Sequence, residues 1–177
     1  DDMPDILDQY REIIEVRLRQ EVPENDSEVY KMLRYCMGWA DKDGNPTDLT
    51  VGKLLRPSLC LFACESLGTS PERALHAAVT LELIHNFSLI HDEIQDFDQN
   101  RHHRPTLWTL WGVPKALIAG DVLKIMAESA FTNLPHSEPV ANSIKCMSLV
   151  TEACLEMIEG QYLDINFEGR IDIGWEQ

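Results

Sequence analysis

The stretch LIHDEIQDFDQNRHHRPT, residues 89–106, places Asp92, Glu93, Asp96 and Asp98 directly after an apolar run and follows them with Arg101, His102, His103 and Arg104. Asp92 and Asp96 stand one helical turn apart, and paired carboxylate oxygens suit a hard cation such as Mg2+. His85 falls on the same line. At about 100° per residue, His85, Asp92 and Asp96 lie within about 20° of one line, with Ser88 about 40° from Asp92. A second set of charges, Lys53 and Arg56 in GKLLRP (residues 52–57), shares one helix face by its spacing. Carboxylates able to hold a divalent cation, beside separate Lys and Arg clusters, suit a diphosphate. The metal takes one set of oxygens, and the forks of Arg101 and Arg104 take others.

The element that must position this stripe is a helix predicted over residues 71–98. Ser70 stands as its N-cap, Pro71 at its first position and Glu72 in its first turn. From Ala77 to Phe97 its circumference is apolar nearly all round, which predicts a central, buried helix. A polar stripe on such a helix faces a cavity or a partner, because unpaired buried carboxylates are costly. Helical spacing also predicts helices over 4–22, 27–39, 53–67, 113–134 and 140–166, with a short one ending near Gly112. Pro4 suits a first turn, residues 40–52 form a turn-rich loop, and Pro135 and Pro139 bracket a break. No strand pattern stands out. The expectation is an all-α bundle, one domain over residues 1–177.

Composition narrows the function classes. A net charge of −15, from 15 basic and 30 acidic residues, excludes a general nucleic-acid footprint. An anionic substrate would be drawn by a few local cations or by metal ions. The five cysteines contain no CxxC, which argues against a zinc ribbon or a thioredoxin-type site. Cys60 and Cys64 read as small core residues, and free cysteines fit a reducing, cytoplasmic compartment. No apolar run reaches about 18 residues, so no membrane span is expected. Glu82-x-x-His85 is the one Glu-x-x-His in the chain, whereas a di-metal oxidase bundle uses two.

Taken together, GKLLRP, LELIHNFSLIHDEIQDFD, RHHRPT, GVPKALIAGDVL and GQYLDI resemble, in order and spacing, the motifs of the trans-prenyl diphosphate synthases. The resemblance covers about residues 24–168 and implies the isoprenoid synthase fold, Mg2+ as cofactor and a homodimer. It implies condensation of isopentenyl diphosphate with an allylic diphosphate, giving a short to medium trans-prenyl diphosphate (geranylgeranyl favoured over farnesyl). Position by position, it makes Asp92 and Asp96 metal ligands and Arg101 the allylic-diphosphate contact. Lys53, Arg56 and His85 would bind isopentenyl diphosphate. Gln161 and Asp164, three apart on one helix face, would line the allylic end. Phe87 is either a floor for the growing chain or core packing, and Glu93 and Asp98 stand behind the ligands.

Some positions depart from the family. Glu93 replaces its usual Asp, His102 and His103 replace an Arg followed by Gly, and Trp108 stands where His is common. The family's Lys-Thr pair and second aspartate-rich motif would fall beyond Gln177. IDIGWEQ reads as the entry to a further helix, so the expectation is a chain incomplete at its C-terminal side. The alternatives are a noncatalytic regulatory subunit of a heteromeric synthase and a class I terpene cyclase. In a cyclase Lys53, Arg56 and His85 would have no role.

Overall fold

The computed structural model describes residues 5–47, 52–132 and 140–169. In chain order these form α1 (Asp5–Asp8), α2 (Arg11–Glu21), α3 (Glu28–Cys36), α4 (Leu55–Ser66), a 3-10 turn (Pro71–Ala74) and α5 (Leu75–Gln95). A hairpin of β1 (Asn100–Arg101) and β2 (Arg104–Pro105) follows, then α6 (Leu107–Trp111), α7 (Val113–Thr132) and α8 (Val140–Phe167). They fall into two compact units, one within residues 1–136 and one within 137–177. The second contains α8. No helix among the described residues is long and apolar enough to cross a membrane.

The all-α expectation holds, and α5 is the central helix of the first unit. It packs most extensively against α7 and next against α4. Ala78, Val79, Leu83 and Ile90 of α5 are buried, as are Ala116, Ala119, Leu123 and Ala127 of α7. The run of alanines lets the two helices approach closely. At Gly120 an added Cβ would lie 2.5 Å from His91 Cδ2, so the glycine leaves a notch that the imidazole fills. Gly120→Ala is therefore expected to lower stability by about 1–3 kcal/mol through overpacking. Urea unfolding measures this, and an unchanged midpoint would show that His91 moves aside freely.

The structure corrects several sequence expectations. The helix expected over 71–98 opens with a 3-10 turn and ends at Gln95, with Asp96 as C-cap. Phe97 then adopts φ 58°, Asp98 N donates to Glu93 O at 2.9 Å, and Phe97 N donates to Ile94 O at 3.4 Å. This is a Schellman cap with phenylalanine where glycine is usual. The helix expected over 4–22 is two pieces. The hairpin was not foreseen, since two-residue strands are too short to show alternation. Cys60 and Cys64 are half-buried rather than core residues; none of the five cysteines is in a disulfide, and only Cys154 among them is buried. The expectations for Pro4, residues 48–51, the Pro135–Pro139 break and IDIGWEQ lie outside the described residues.

The hairpin turns on His102 and His103, with φ 48° and 63°. Left-handed backbone at both central residues is the type I′ arrangement that suits a two-residue hairpin. Each L side chain there costs about 1–2 kcal/mol, histidine being better tolerated than most. The turn also accounts for the glycine that the resembled family carries at position 103. His103→Gly is expected to raise stability by about 1 kcal/mol; a fall in the unfolding midpoint would count against this geometry.

Candidate active site

The acidic end of α5 is where the buried helix reaches the surface: Asp92 is half-buried and Asp96 exposed. Asp96 N donates to Asp92 O at 2.8 Å, so the helical register joining the two aspartates persists to the cap. The C-terminal end of a helix already carries partial negative charge, and carboxylates there need a cation to offset them. The segment beyond is pinned. Asp98 O accepts from Thr106 Oγ1 at 2.9 Å and from Trp108 Nε1 at 2.8 Å, so Trp108 supplies a donor at its unusual position. Among the described residues no three His, Cys, Asp or Glu side chains converge as a metal cage. Two one-turn-apart carboxylates open to other oxygens fit Mg2+, which keeps waters and shares phosphate oxygens.

Glu93 points elsewhere. It is buried, and its Oε1 lies 3.8 Å from Arg101 Nη1. Burial pushes its carboxyl up to about 7, against the pull of Arg101 and with Asp98 and Asp92 adding to the rise. The ion pair is too long to offset the loss of water. Glu93 thus faces Arg101 rather than continuing the stripe of Asp92 and Asp96. Beside them a cleft of about 50 Å³ is lined by Tyr35, Cys36, Glu93, Arg101 and Arg104, among others. Arg101 Nε is buried without a hydrogen-bond partner.

Lys53 is exposed between Gly52 (φ 85°) and Leu54 (φ 49°), just before α4. Leu54 is a buried, bulky residue in left-handed backbone, a strain of about 1–2 kcal/mol. Strain of this kind persists where surroundings fix it and gathers at working sites. Arg56 Nη1 meets His85 Nε2 at 3.2 Å. Burial, then the charges of Arg56 and Arg101, lower the His85 imidazole to about 4. His85 is therefore a neutral acceptor that aims Arg56, not a further cation. Ser88 Oγ donates back to His85 O at 2.8 Å, which takes Ser88 out of the polar stripe.

The sign of the His85 shift sets a pH dependence. The unfolded imidazole titrates near 6.5 and the folded one near 4, so between these values the unfolded chain binds the extra proton. Its contribution must make stability fall as pH drops from about 6.5 to about 4. The difference in unfolding midpoint between the protein and His85→Asn should change across that window; a pH-independent difference would contradict the shift.

The structure thus brings Arg56, His85, Arg101 and Glu93 together around α5, with Asp92 and Asp96 at its end. Phe87 is buried, its ring edge-on to His91 at 4.7 Å between centroids, and His91 in turn lies 3.7 Å from Asp121 Oδ1. These contacts favour core packing for Phe87. Gln161 and Asp164 lie on α8, in the second unit, and belong to the site by resemblance alone. Arg104 does not serve as a free phosphate fork: Nη1 donates to Tyr35 O at 3.0 Å and Nη2 to Ala40 O at 3.1 Å. Glu82, the acid of the single Glu-x-x-His, is buried and accepts from Asn86 Nδ2 at 3.2 Å. Tyr35, Gly120 and His91 carry no sequence signal of the kind that marked the aspartates.

A model of the polyprenyl synthetase family matches residues 45–177. The (2E,6E)-farnesyl diphosphate synthase of Mycobacterium tuberculosis H37Rv is 38% identical over 174 residues, covering 97% of this chain and 47% of that protein. The geranylgeranyl pyrophosphate synthase of Geoglobus acetivorans is 38% identical over 164 residues, or 92% of this chain and 46% of that one. Among solved structures, the polyprenyl synthetase of Streptomyces coelicolor A3(2) superposes with a TM-score of 0.86 at 33% identity, over 97% of this chain and 49% of its own. The chain spans about half the length of the curated relatives it matches. With three-quarters of its residues inside the family model, the chain belongs to the polyprenyl synthetase family.

Proposed function

We propose that the whole protein is a prenyltransferase that condenses isopentenyl diphosphate with an allylic diphosphate to give a short to medium trans-prenyl diphosphate. The observation that carries this reading is that α5, which ends in the Asp92/Asp96 pair, also gathers Arg101 at Glu93 and Arg56 at His85. Asp92 and Asp96 would hold Mg2+, which when bound neutralises diphosphate oxygens and makes the allylic diphosphate a better leaving group.

Arg101, held against Glu93, offers its fork to the allylic diphosphate. Lys53 and Arg56 hold isopentenyl diphosphate, and His85 keeps Arg56 aimed without adding charge that would itself repel the guanidinium. The allylic C–O bond breaks with its electron pair leaving on the diphosphate. The double bond of isopentenyl diphosphate attacks the allylic carbon, and a proton passes to the departed diphosphate. The buried apolar sides of α5 and α7 help to exclude water, which would capture the cation. Gln161 and Asp164 would line the allylic end. Five cysteines outside any disulfide suit a reducing compartment such as the cytoplasm, and a homodimer is the assembly that the family resemblance implies.

The relatives are named as synthases, which favours catalysis over a regulatory subunit or a cyclase. Incubation with isopentenyl diphosphate, a series of allylic diphosphates and Mg2+, followed by mass spectrometry, tests the reading. Chain-extended prenyl diphosphates are expected. Cyclised hydrocarbons, or binding without turnover by the whole protein, would overturn it.

A further inference from the structure

Arg104 stands directly across the hairpin from Arg101. Its guanidinium forks onto two carbonyls, Tyr35 O in the last turn of α3 at 3.0 Å and Ala40 O in the loop beyond α3 at 3.1 Å. The same group lies 4.0 Å over the Tyr35 ring centroid. Tyr35 answers in kind, its hydroxyl donating to Pro105 O at 2.7 Å. Burial raises the pKa of that hydroxyl, so it remains a donor at neutral pH. Trp111 closes the assembly edge-on to the Tyr35 ring at 5.3 Å.

These contacts matter because the hairpin has little to hold it by itself. It has two residues per strand, turns through two left-handed histidines, and an isolated hairpin is marginal in water at best. Such backbone persists where the surroundings over-determine it. Here the surroundings are α3, gripped on one strand by Arg104 and Pro105, while the other strand carries Arg101 toward Glu93 at 3.8 Å.

We propose that Arg104 and Tyr35 form a staple that positions Arg101 for the diphosphate, and that Arg104 itself does not touch the ligand. The proposal rests on the diphosphate reading of the site. Lysine cannot fork onto two carbonyls while stacking on a ring, so Arg104→Lys keeps the charge and removes the staple. Tyr35→Phe keeps the ring and removes the bond to Pro105 O.

The test combines amide exchange over residues 100–106 with calorimetric affinity for the unreactive geranyl S-thiolodiphosphate in Mg2+. Arg104→Lys is expected to speed exchange and weaken the analogue by about tenfold, with Tyr35→Phe a smaller change in the same direction. In an Arg101→Lys background, Arg104→Lys should add little, since it acts through Arg101. Independent, multiplying losses would show that Arg104 contacts the ligand directly and overturn the proposal. Faster exchange with unchanged affinity would overturn it also, leaving a purely structural contact. Failure of the unmodified chain to bind the analogue would overturn the diphosphate reading itself, an outcome distinct from both.

Discussion

Asp92→Ala and Asp96→Ala are each expected to lower Mg2+-dependent turnover of the whole protein by about a hundredfold or more, the scale on which a lost charge-stabilising group acts. The fold should survive. Neither side chain is fully buried, and both stand at the negative end of α5, where removing a carboxylate relieves repulsion. The unfolding midpoint should therefore hold or rise slightly while activity collapses. That opposition separates a metal ligand from a structural acid, whose loss would lower both. Near-normal rates in both variants would remove the aspartates from the chemistry.

Phe87→Ala should have the largest effect on stability, a loss of about 3 kcal/mol or more for a buried aromatic ring. Phe87 is 8% exposed and packs edge-on against His91, which fills the notch at Gly120. Removing the ring leaves a cavity that His91 cannot close without leaving that notch. Chemical denaturation measures the loss, and mass spectrometry of the products reads the competing role. A loss below about 1 kcal/mol together with longer products would mean that the ring bounds the chain pocket instead of the core.

The sequence carried the parts of the site that rest on helical periodicity. Asp92, Asp96 and His85 could be placed on one line because α5 is regular from Leu75 to Gln95. The same reasoning failed for Lys53 and Arg56: α4 begins at Leu55 after the left-handed Leu54, so Lys53 lies before the helix and shares no helical face with Arg56. What could not be read is what irregular backbone decides. Phe97, His102, His103 and Leu54 all take left-handed φ without being glycine, so no residue type announced the cap, the hairpin or the turn before α4.

The charge states were hidden too. His85 reads as a potential cation, yet burial and two neighbouring guanidinium groups keep it neutral. Arg104 looked equivalent to Arg101, and the two differ because Tyr35 of α3 and Ala40 of the loop after it, more than sixty residues earlier in the chain, present two carbonyls and a ring to one of them. Long-range contacts of this kind leave no trace in local spacing.

On the proposed reading, the end of α5 binds a diphosphate through Mg2+ shared between Asp92 and Asp96. The most direct measurement is calorimetric titration of the chain with geranyl S-thiolodiphosphate, in Mg2+ and again after chelation with EDTA. The account predicts saturable binding in Mg2+ that is lost in EDTA and lost in Asp92→Ala and Asp96→Ala. Binding that is equally tight without the metal, or undiminished in both variants, would contradict it.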